Sequence, residues 1–213
     1  MSPSIRSFGS ALRANRVARL RRRILDAAAA CYSTNGYPGT TLTHIAREAK
    51  VSIDAVLTVG RKRELLLASF QQAYAGSEGQ RSPADNEDAP RIAADPDEGK
   101  YLEAAASLVA AANARTSMLW GELLSAATSD DKIADSVGKL LARRRDDYRA
   151  LATSLISRGL VAWRANEREL DDFADELSFL WAPEAHRQLV LGSGWSMEKY
   201  TRWLVESVER QFA

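Results

Sequence analysis

The spacing of apolar residues is the feature that most constrains the fold of this chain. From about residue 17 to residue 75, and again from residue 100, they recur every three or four positions, as in the run Ile24, Ala27, Ala28 and Cys31, which is the pattern of one face of an α-helix. No segment of useful length shows the alternation with a period of two that is typical of a half-buried strand. The sequence therefore predicts an all-α protein with about nine to ten helices.

Charge divides the chain into two parts, although the net charge of all 213 residues is only +1. Residues 1–76 contain twelve basic and four acidic side chains, a net charge of +8, whereas the remainder has a net charge of −7 and holds all five tryptophans. A small basic module followed by a larger acidic and aromatic one favours an anionic partner such as nucleic acid for the first part.

Several classes of protein are excluded or disfavoured. Cys31 is the only cysteine, so intrachain disulfides and cysteine-based zinc sites are excluded, and two distant histidines do not predict a metal centre. No glycine-rich phosphate loop or Ser-His-Asp arrangement is evident, so we predict neither an enzyme nor a cofactor. No apolar stretch is long enough to span a membrane, and the arginine-rich start continues into an amphipathic helix. We expect a soluble cytoplasmic protein with no membrane partner.

Composition and turn signals predict four segments. Residues 1–15 are expected to be a flexible basic arm, and residues 16–75 to be a helix-turn-helix domain. Residues 76–99 contain three of the six prolines and seven acidic residues without a regular pattern, which indicates a disordered linker or loop. Residues 100–213 return to helical spacing and are predicted to form a larger helical bundle.

Two short helices joined by a tight turn lie within the basic segment. Ser52 is placed to cap the second of them, Gly60 to end it, and Val51 to fill the turn. A pair of this kind after an amphipathic helix is a helix-turn-helix candidate, in which the second helix enters the major groove of DNA. By itself the pattern fits an ordinary helical hairpin equally well.

The order of motifs makes the segment more specific than a bare helix-turn-helix. It resembles the N-terminal domain of the TetR family of bacterial repressors through Ile24-Leu25-Asp26-Ala27-Ala28, Asn35-Gly36-Tyr37, Thr40 to Ala49, Val51-Ser52 and Gly60-Arg61-Lys62-Arg63-Glu64-Leu65-Leu66. The C-terminal part resembles a ligand domain of the same family through Phe179-Leu180-Trp181, Pro183-Glu184 and Gly194-Trp195-Ser196. The resemblance implies a DNA-binding domain, a helical domain that binds a small effector and dimerises, and release of DNA when the effector binds.

The chain departs from the family pattern at two places. Lys50 stands at the turn position that is usually Gly, where a left-handed backbone costs a non-Gly residue about 1–2 kcal/mol. The recognition helix, Ile53 to Val59, has no aromatic residue and is one residue short, which corresponds to about 100° of rotation. The register of DNA contacts after Val56 is therefore open.

The resemblance implies a set of DNA contacts, for which capping or a solvated surface is the alternative role. The predicted residues are Thr41, Thr43, His44, Ser52, Ile53, Asp54, Ala55, Leu57, Thr58 and Lys62. Arginines from Arg13 to Arg23 are expected to add non-specific affinity or to reach a minor groove.

A ligand site is predicted in the C-terminal part. Its candidate residues are Met118, Trp120, Glu122, Arg144, Tyr148 and Trp163. Arg144 and Glu122 interrupt apolar stripes, so one hypothesis is that they pair with each other or with a polar effector. The alternatives are an arginine stem that reaches solvent and aromatic residues that simply pack in the core.

The last two long helices carry wide apolar faces that predict a homodimer interface. The candidate residues are Phe173, Leu177, Trp181, Tyr200, Trp203 and Leu204, and the alternative is that some of them fill the core of one chain.

Three functions compete as explanations of these features. The first is a ligand-responsive regulator, a repressor, that binds palindromic double-stranded DNA as a homodimer and is released by an unknown small-molecule effector. The second is a dimeric regulator of the same fold with weak or lost sequence recognition. The third, an enzyme, is disfavoured by the absence of catalytic motifs.

Overall fold

The computed structural model describes residues 5–75, 89–161 and 167–212. Within these ranges the chain forms ten α-helices and one π-helical turn, and no strand, which confirms the predicted all-α fold. The helices are α1 (Ile5–Gly39), α2 (Leu42–Ala49), α3 (Ile53–Val59), α4 (Lys62–Ala75), α5 (Ala89–Ala93), α6 (Glu98–Ala127), α7 (Asp131–Ser157), α8 (Glu167–Leu180), α9 (Pro183–His186) and α10 (Met197–Phe212), with the π-helical turn at Arg187–Gly192. The chain divides into two compact units, Met1–Gln72 and Ala73–Ala213.

The first helix begins earlier than the sequence pattern indicates. Residues 1–15 are predicted as an arm, yet α1 already begins at Ile5, and residues 1–4 lie outside the described part of the chain. At its other end Gly36 has φ 71° and ψ 167°, so the regular helix breaks at the predicted Asn35-Gly36 stop signal. A positive φ of this size favours glycine because it has no Cβ.

The N-terminal unit has a small core of aliphatic, alanine and aromatic side chains. Its fully buried members come from all four helices: Ile24, Ala28, Tyr32, Ile45, Val56, Leu65 and Leu66. Thr40 is also buried, and its hydroxyl donates to the carbonyl oxygens of Cys31 at 3.0 Å and Gly36 at 2.8 Å. This threonine ties the segment before α2 to the end of α1.

The predicted linker 76–99 contains regular structure in its described portion. Residues 76–88 lie outside the described ranges, α5 occupies Ala89–Ala93, and α6 begins at Glu98. Asp97 caps α6, since its carboxylate accepts from the Lys100 backbone N–H at 3.1 Å. A single N-terminal cap of this type stabilises a helix by about 1 kcal/mol.

The C-terminal unit buries most of the residues predicted for the dimer interface. Five of the six, Phe173, Leu177, Trp181, Tyr200 and Leu204, are 0 % exposed within one chain and pack in a core with α6 and α7 residues. The prediction placed them on a partner-facing surface, but a fully buried side chain has no surface left for a partner. The alternative, that these residues fill the core of one chain, holds for these five, and Trp203 alone of the set is half-buried.

Candidate DNA-binding helices and ligand cavity

The turn between α2 and α3 is closed by backbone hydrogen bonds. Lys50 has φ 55° and ψ 49°, which is left-handed, and it is the only non-glycine residue with positive φ in the described ranges. The Lys50 N–H donates to the Arg47 carbonyl at 3.2 Å, and the Val51 N–H donates to the Ala46 carbonyl at 3.0 Å. This pair of bonds is a Schellman motif, which normally takes glycine at the left-handed position. The conformation anticipated for Lys50 is therefore the one the chain adopts.

Both short helices begin with a side-chain cap. The Thr41 hydroxyl accepts from the His44 N–H at 3.2 Å, and the Ser52 hydroxyl accepts from the Ala55 N–H at 3.2 Å. Gly60 ends α3, and its N–H donates to the Val56 carbonyl at 3.2 Å. Thr41 and Ser52 thus have the capping role that the sequence allowed as the alternative to DNA contact.

One face of α3 points away from the N-terminal core. Val56 is fully buried and anchors the helix, whereas Ile53 is 42 % and Leu57 46 % exposed. Asp54 and Thr58 are also exposed. They lie on the same side of the helix, because residues one turn apart share a helix face. The solvent-facing surface of α3 therefore carries two aliphatic side chains, one carboxylate and one hydroxyl.

The remaining predicted DNA contacts lie around α3. Thr43 is exposed on α2, and Ala55 is half-buried behind the outer face of α3. The Nδ1 atom of His44 is buried and makes no hydrogen bond within the described residues.

Lys62 is held at the start of α4 by the end of α1. Its Nζ donates to the Pro38 carbonyl at 3.2 Å and lies 4.7 Å from the ring centroid of Tyr37. The Tyr32 hydroxyl donates to the Lys62 carbonyl at 2.6 Å, and burial raises the pKa of that hydroxyl. Lys62 is therefore an oriented cation, in contrast to the exposed Arg47 and Lys50.

The C-terminal unit contains a cavity of about 410 Å³. Its walls come from α6, α7, the segment around α5 and the end of α4, and most of the lining is aliphatic or aromatic: Tyr74, Pro90, Ile92, Ala93, Tyr101, Ala105, Leu108, Val109, Ala112, Asn113, Arg144, Asp147, Tyr148, Ala150, Leu151 and Pro183. Small-molecule sites commonly span about 300–1,000 Å³ and have a largely apolar lining.

Two of the six predicted ligand residues, Arg144 and Tyr148, line this cavity. Met118 is 37 % exposed, Trp120 is buried and Glu122 is half-buried, and none of them is part of the described lining. Trp163 lies outside the described residues.

Arg144 is fixed by neighbours other than the predicted Glu122. Its Nε donates to the Ser178 hydroxyl and its Nη2 to the Ser178 carbonyl, both at 3.0 Å. Its Nη1 lies 4.0 Å from Oε2 of Glu184, whose other oxygen accepts from Trp120 Nε1 at 2.7 Å. The side chain is 17 % exposed, so the guanidinium is held inside the unit and does not extend into solvent.

A buried polar network borders the same cavity. The Asn113 amide donates to the Trp181 carbonyl and to the Tyr200 hydroxyl, both at 2.9 Å, and the Tyr148 hydroxyl donates to the Trp181 carbonyl at 3.0 Å. Burial raises the pKa of Tyr200 to about 12 and that of Tyr148 well above its usual value. Both phenols are therefore neutral at physiological pH, with the Tyr148 hydroxyl as a donor and the Tyr200 hydroxyl as an acceptor.

The cavity wall formed by α5 is secured by one arginine. Nη2 of Arg158 donates to the Ala93 carbonyl at 2.5 Å, and Nη1 donates to the Asp95 carbonyl at 2.9 Å and to Glu98 at 3.1 Å. Its guanidinium lies 4.0 Å from the ring centroid of Tyr101. This side chain joins the end of α7 to the segment that carries Pro90 and Ile92.

Sequence reasoning missed several cavity residues, among them Tyr74, Tyr101, Asn113 and Asp147. Asn113 had a usable signal, because it is a lone amide on the alanine-rich buried stripe of α6. Buried amides need partners, so a polar residue at such a position indicates a network or a site. The side chains of Tyr74 and Pro90 come from segments whose packing has no signature in local spacing.

Other kinds of site receive no support from the described residues. No helix there is long and apolar enough to cross a membrane, and no group of three or more His, Cys, Asp or Glu side chains is arranged to hold a metal ion.

Comparison with known proteins points to one family. Residues 24–58 match the profile of the bacterial regulatory proteins of the TetR family. No curated protein matches the chain by sequence.

Solved structures with the same fold cover nine-tenths of the chain. A TetR transcription regulator from Haloarcula marismortui has 16 % identity and a TM-score of 0.64, covering 92 % of this chain and 99 % of its own. The transcriptional regulator FadR from Bacillus subtilis, solved with stearoyl-CoA, has 14 % identity and a TM-score of 0.65, covering 90 % and 98 %. A proposed transcriptional regulator from Saccharomonospora viridis, solved with choline, has 18 % identity and a TM-score of 0.66, covering 90 % and 96 %. The match at residues 24–58 and the shared fold relate this chain to the TetR family of bacterial regulatory proteins.

Proposed function

We propose that this protein is a ligand-responsive transcriptional repressor of the cytoplasm. It binds an inverted-repeat operator as a homodimer through α3 and releases the DNA when a small molecule occupies the cavity of the C-terminal unit. The observation that carries the proposal is the outward face of α3, anchored by Val56 and set in a segment, residues 1–76, with a net charge of +8.

The chemistry of this face limits how bases are read. Ile53 and Leu57 suit contacts with thymine methyl groups, Thr58 offers a hydroxyl, and Asp54 suits the amino group of cytosine. The Thr58 hydroxyl already donates to the Ala55 carbonyl at 2.7 Å, so it is expected to act as an acceptor toward a base. No arginine or lysine lies on α3, and phosphate attraction therefore falls to Lys62 and the exposed cations around it.

Dimer formation is supported by apolar surface that one chain leaves exposed. Phe179 on α8 is 77 % exposed, and the half-buried Trp203 on α10 packs beside Trp195 with 6.5 Å between ring centroids. A two-fold dimer presents the same surface from both subunits, so its operator should be an inverted repeat with half-sites about 34–36 Å apart, or a multiple of that spacing.

Selection of bound duplexes from a random pool tests the proposal. We expect an inverted repeat to be enriched by the unaltered protein, and the enrichment to be lost in Ile53→Ala/Leu57→Ala, which removes the two outward aliphatic side chains. A single unpaired half-site would contradict the dimeric arrangement, and a pool without any consensus would contradict sequence-specific binding.

The dimer itself is tested by Phe179→Glu/Trp203→Glu. Charges on this surface should give a folded monomer with much weaker operator binding, measured by sedimentation together with the helical spectrum. Leu141→Glu is the matched control, because Leu141 is 43 % exposed on α7 and lies outside the proposed interface. A folded double variant that remains dimeric would place the interface elsewhere.

A second candidate function is a regulator of the same fold with weak or lost sequence recognition. The observation that favours it is the short α3 of seven residues, preceded by a left-handed Lys50. Equal affinity for a selected duplex and for its scrambled version would support this function over the first.

A further inference from the structure

The guanidinium of Arg144 is held in a fixed orientation beside the cavity. Nε and Nη2 are both engaged by Ser178, which fixes the plane of the group. Nη1 has its nearest carboxylate oxygen, Oε2 of Glu184, at 4.0 Å, and it makes no hydrogen bond within the described residues. Arg144 lines the cavity, so its guanidinium is an oriented cation beside the cavity in which Nη1 makes no hydrogen bond to any described residue.

The charges around this donor limit what it can bind. Arg144 and Asp147 are the charged side chains in the described lining, and their charges are opposite. A carboxylate placed at Nη1 would also face the negative charges of Asp147 and Glu184. An ammonium placed at Asp147 would face Arg144. Either ion would lose its hydration in a largely apolar cavity with only partial compensation.

The rest of the lining favours an apolar body. Ile92, Leu108, Val109 and Leu151 contribute aliphatic surface, and Tyr101 contributes a ring whose hydroxyl already donates to Ser154 at 2.8 Å. Burial of an apolar ligand on such a surface is favourable by about 25 cal/mol per Å². Bound charge is not required for affinity.

We propose that the cavity takes an uncharged, largely apolar molecule whose carbonyl oxygen accepts a hydrogen bond from Nη1 of Arg144. This inference rests on the proposed function only in treating the cavity as the effector site. Ser178 acts as a positioning residue that aims the guanidinium, and Asp147 with Glu184 disfavours the corresponding acids.

Three probes built on an unbranched ten-carbon chain test the ligand class: methyl decanoate, decanoate and decylammonium. Calorimetry on the full chain without DNA, below the solubility limit of the ester and the micelle concentrations of the two ions, should show the ester binding at least about tenfold more tightly than either ion. Arg144→Met should weaken ester binding about tenfold, whereas Arg145→Met, on the same helix but paired with Asp175 at 2.9 Å, should leave it unchanged. Asp147→Asn should improve the binding of decanoate, and unchanged helical spectra would show that the variants fold.

The outcomes separate this inference from the proposed function. Tightest binding of decanoate or of decylammonium, no binding of the ester, or equal loss in the Arg144 and Arg145 variants would overturn the ligand class. Release of a selected duplex is measured separately with the same ester. An ester that binds through Arg144 and leaves the DNA complex intact would support the ligand class and contradict effector-driven release.

Discussion

The two units of this protein obtain their structure in different ways. The N-terminal unit uses short helices of eight and seven residues, α2 and α3, whose ends are set by Thr41, Ser52 and a Schellman turn. The C-terminal unit uses helices of 30 and 27 residues, α6 and α7, whose buried faces include amides, hydroxyls and a cavity. Capping residues and turns that act within a few positions determine the structure of the first unit. Packing between segments distant in sequence determines the structure of the second.

The two units also differ in the surfaces proposed to bind a partner. In the first unit, α3 presents exposed side chains on a small scaffold of capped helices. The cavity of the C-terminal unit is lined by residues from segments as far apart in sequence as Tyr74 and Pro183. A substitution in the first unit should therefore act locally, and one in the second should act on stability and ligand binding together.

The largest expected effect comes from Trp181→Ala in the C-terminal core. Trp181 is fully buried, and its Nε1 donates to the Leu204 carbonyl at 3.2 Å and to the Ser207 hydroxyl at 3.1 Å. Its removal should lower the free energy of unfolding by about 3–5 kcal/mol in denaturant titrations. Leu141→Ala is the control and should cost much less, since Leu141 is 43 % exposed and lies outside the proposed interface. Equal costs of the two substitutions would contradict the assignment of Trp181 to the core.

A pH effect is expected from His186, which is 3 % exposed and hydrogen bonded through Nδ1 to Ser117 at 3.0 Å. Burial lowers its pKa, so the folded state binds this proton less readily than the unfolded state does. The stability supplied by the neutral ring is complete above the unfolded pKa of about 6.5 and declines as pH falls toward the folded value, by at most about 1.4 kcal/mol per pH unit.

Thermal unfolding at several pH values measures this effect. The loss of stability between neutral and mildly acidic pH should be smaller in His186→Asn than in the unaltered protein. Identical pH profiles of the two proteins would show that His186 binds a proton equally well in the folded and the unfolded state.

A smaller gain in stability is expected from Lys50→Gly in the N-terminal unit. The left-handed backbone at φ 55° penalises a side chain, so glycine should raise the free energy of unfolding of this unit by about 1 kcal/mol. Hydrogen exchange of the α2 and α3 amides measures the stability of this unit separately from that of the C-terminal unit. Arg61→Gly is the control, because Arg61 is exposed and does not have a positive φ, so glycine should bring no gain there. Weaker protection of the α2 amides from exchange after Lys50→Gly would contradict the claim that the backbone at Lys50 is strained.

The smallest expected effect is on the salt dependence of DNA binding. If Lys62 contacts one phosphate, Lys62→Ala should reduce the slope of log affinity against log salt by about 0.9 and weaken all duplexes equally. Lys132→Ala, an exposed lysine of the C-terminal unit, is the control. An unchanged slope would show that Lys62 does not contact a phosphate and that its role is confined to the contacts with Pro38 and Tyr37.

The sequence predicted the fold class and the caps of the short helices, because a hydroxyl before a helix and a glycine after it act within a few residues. Of the predicted ligand residues, Arg144 and Tyr148 line the cavity, and the signal for Arg144 was a charged group that interrupts an apolar stripe. It could not separate core from interface for Phe173, Leu177 and Trp181, since helical spacing shows which face is apolar but not what covers it. The cavity residues Tyr74 and Asp147 were missed for the same reason.

The central claim, that the outward face of α3 reads base sequence, is tested most directly by one ratio of affinities. This ratio compares a selected duplex with a scrambled duplex of the same composition, for the unaltered protein at a single physiological salt concentration. A specific regulator should bind the selected duplex at least about a thousandfold more tightly. A ratio near one would contradict the account and leave only charge-driven binding to DNA.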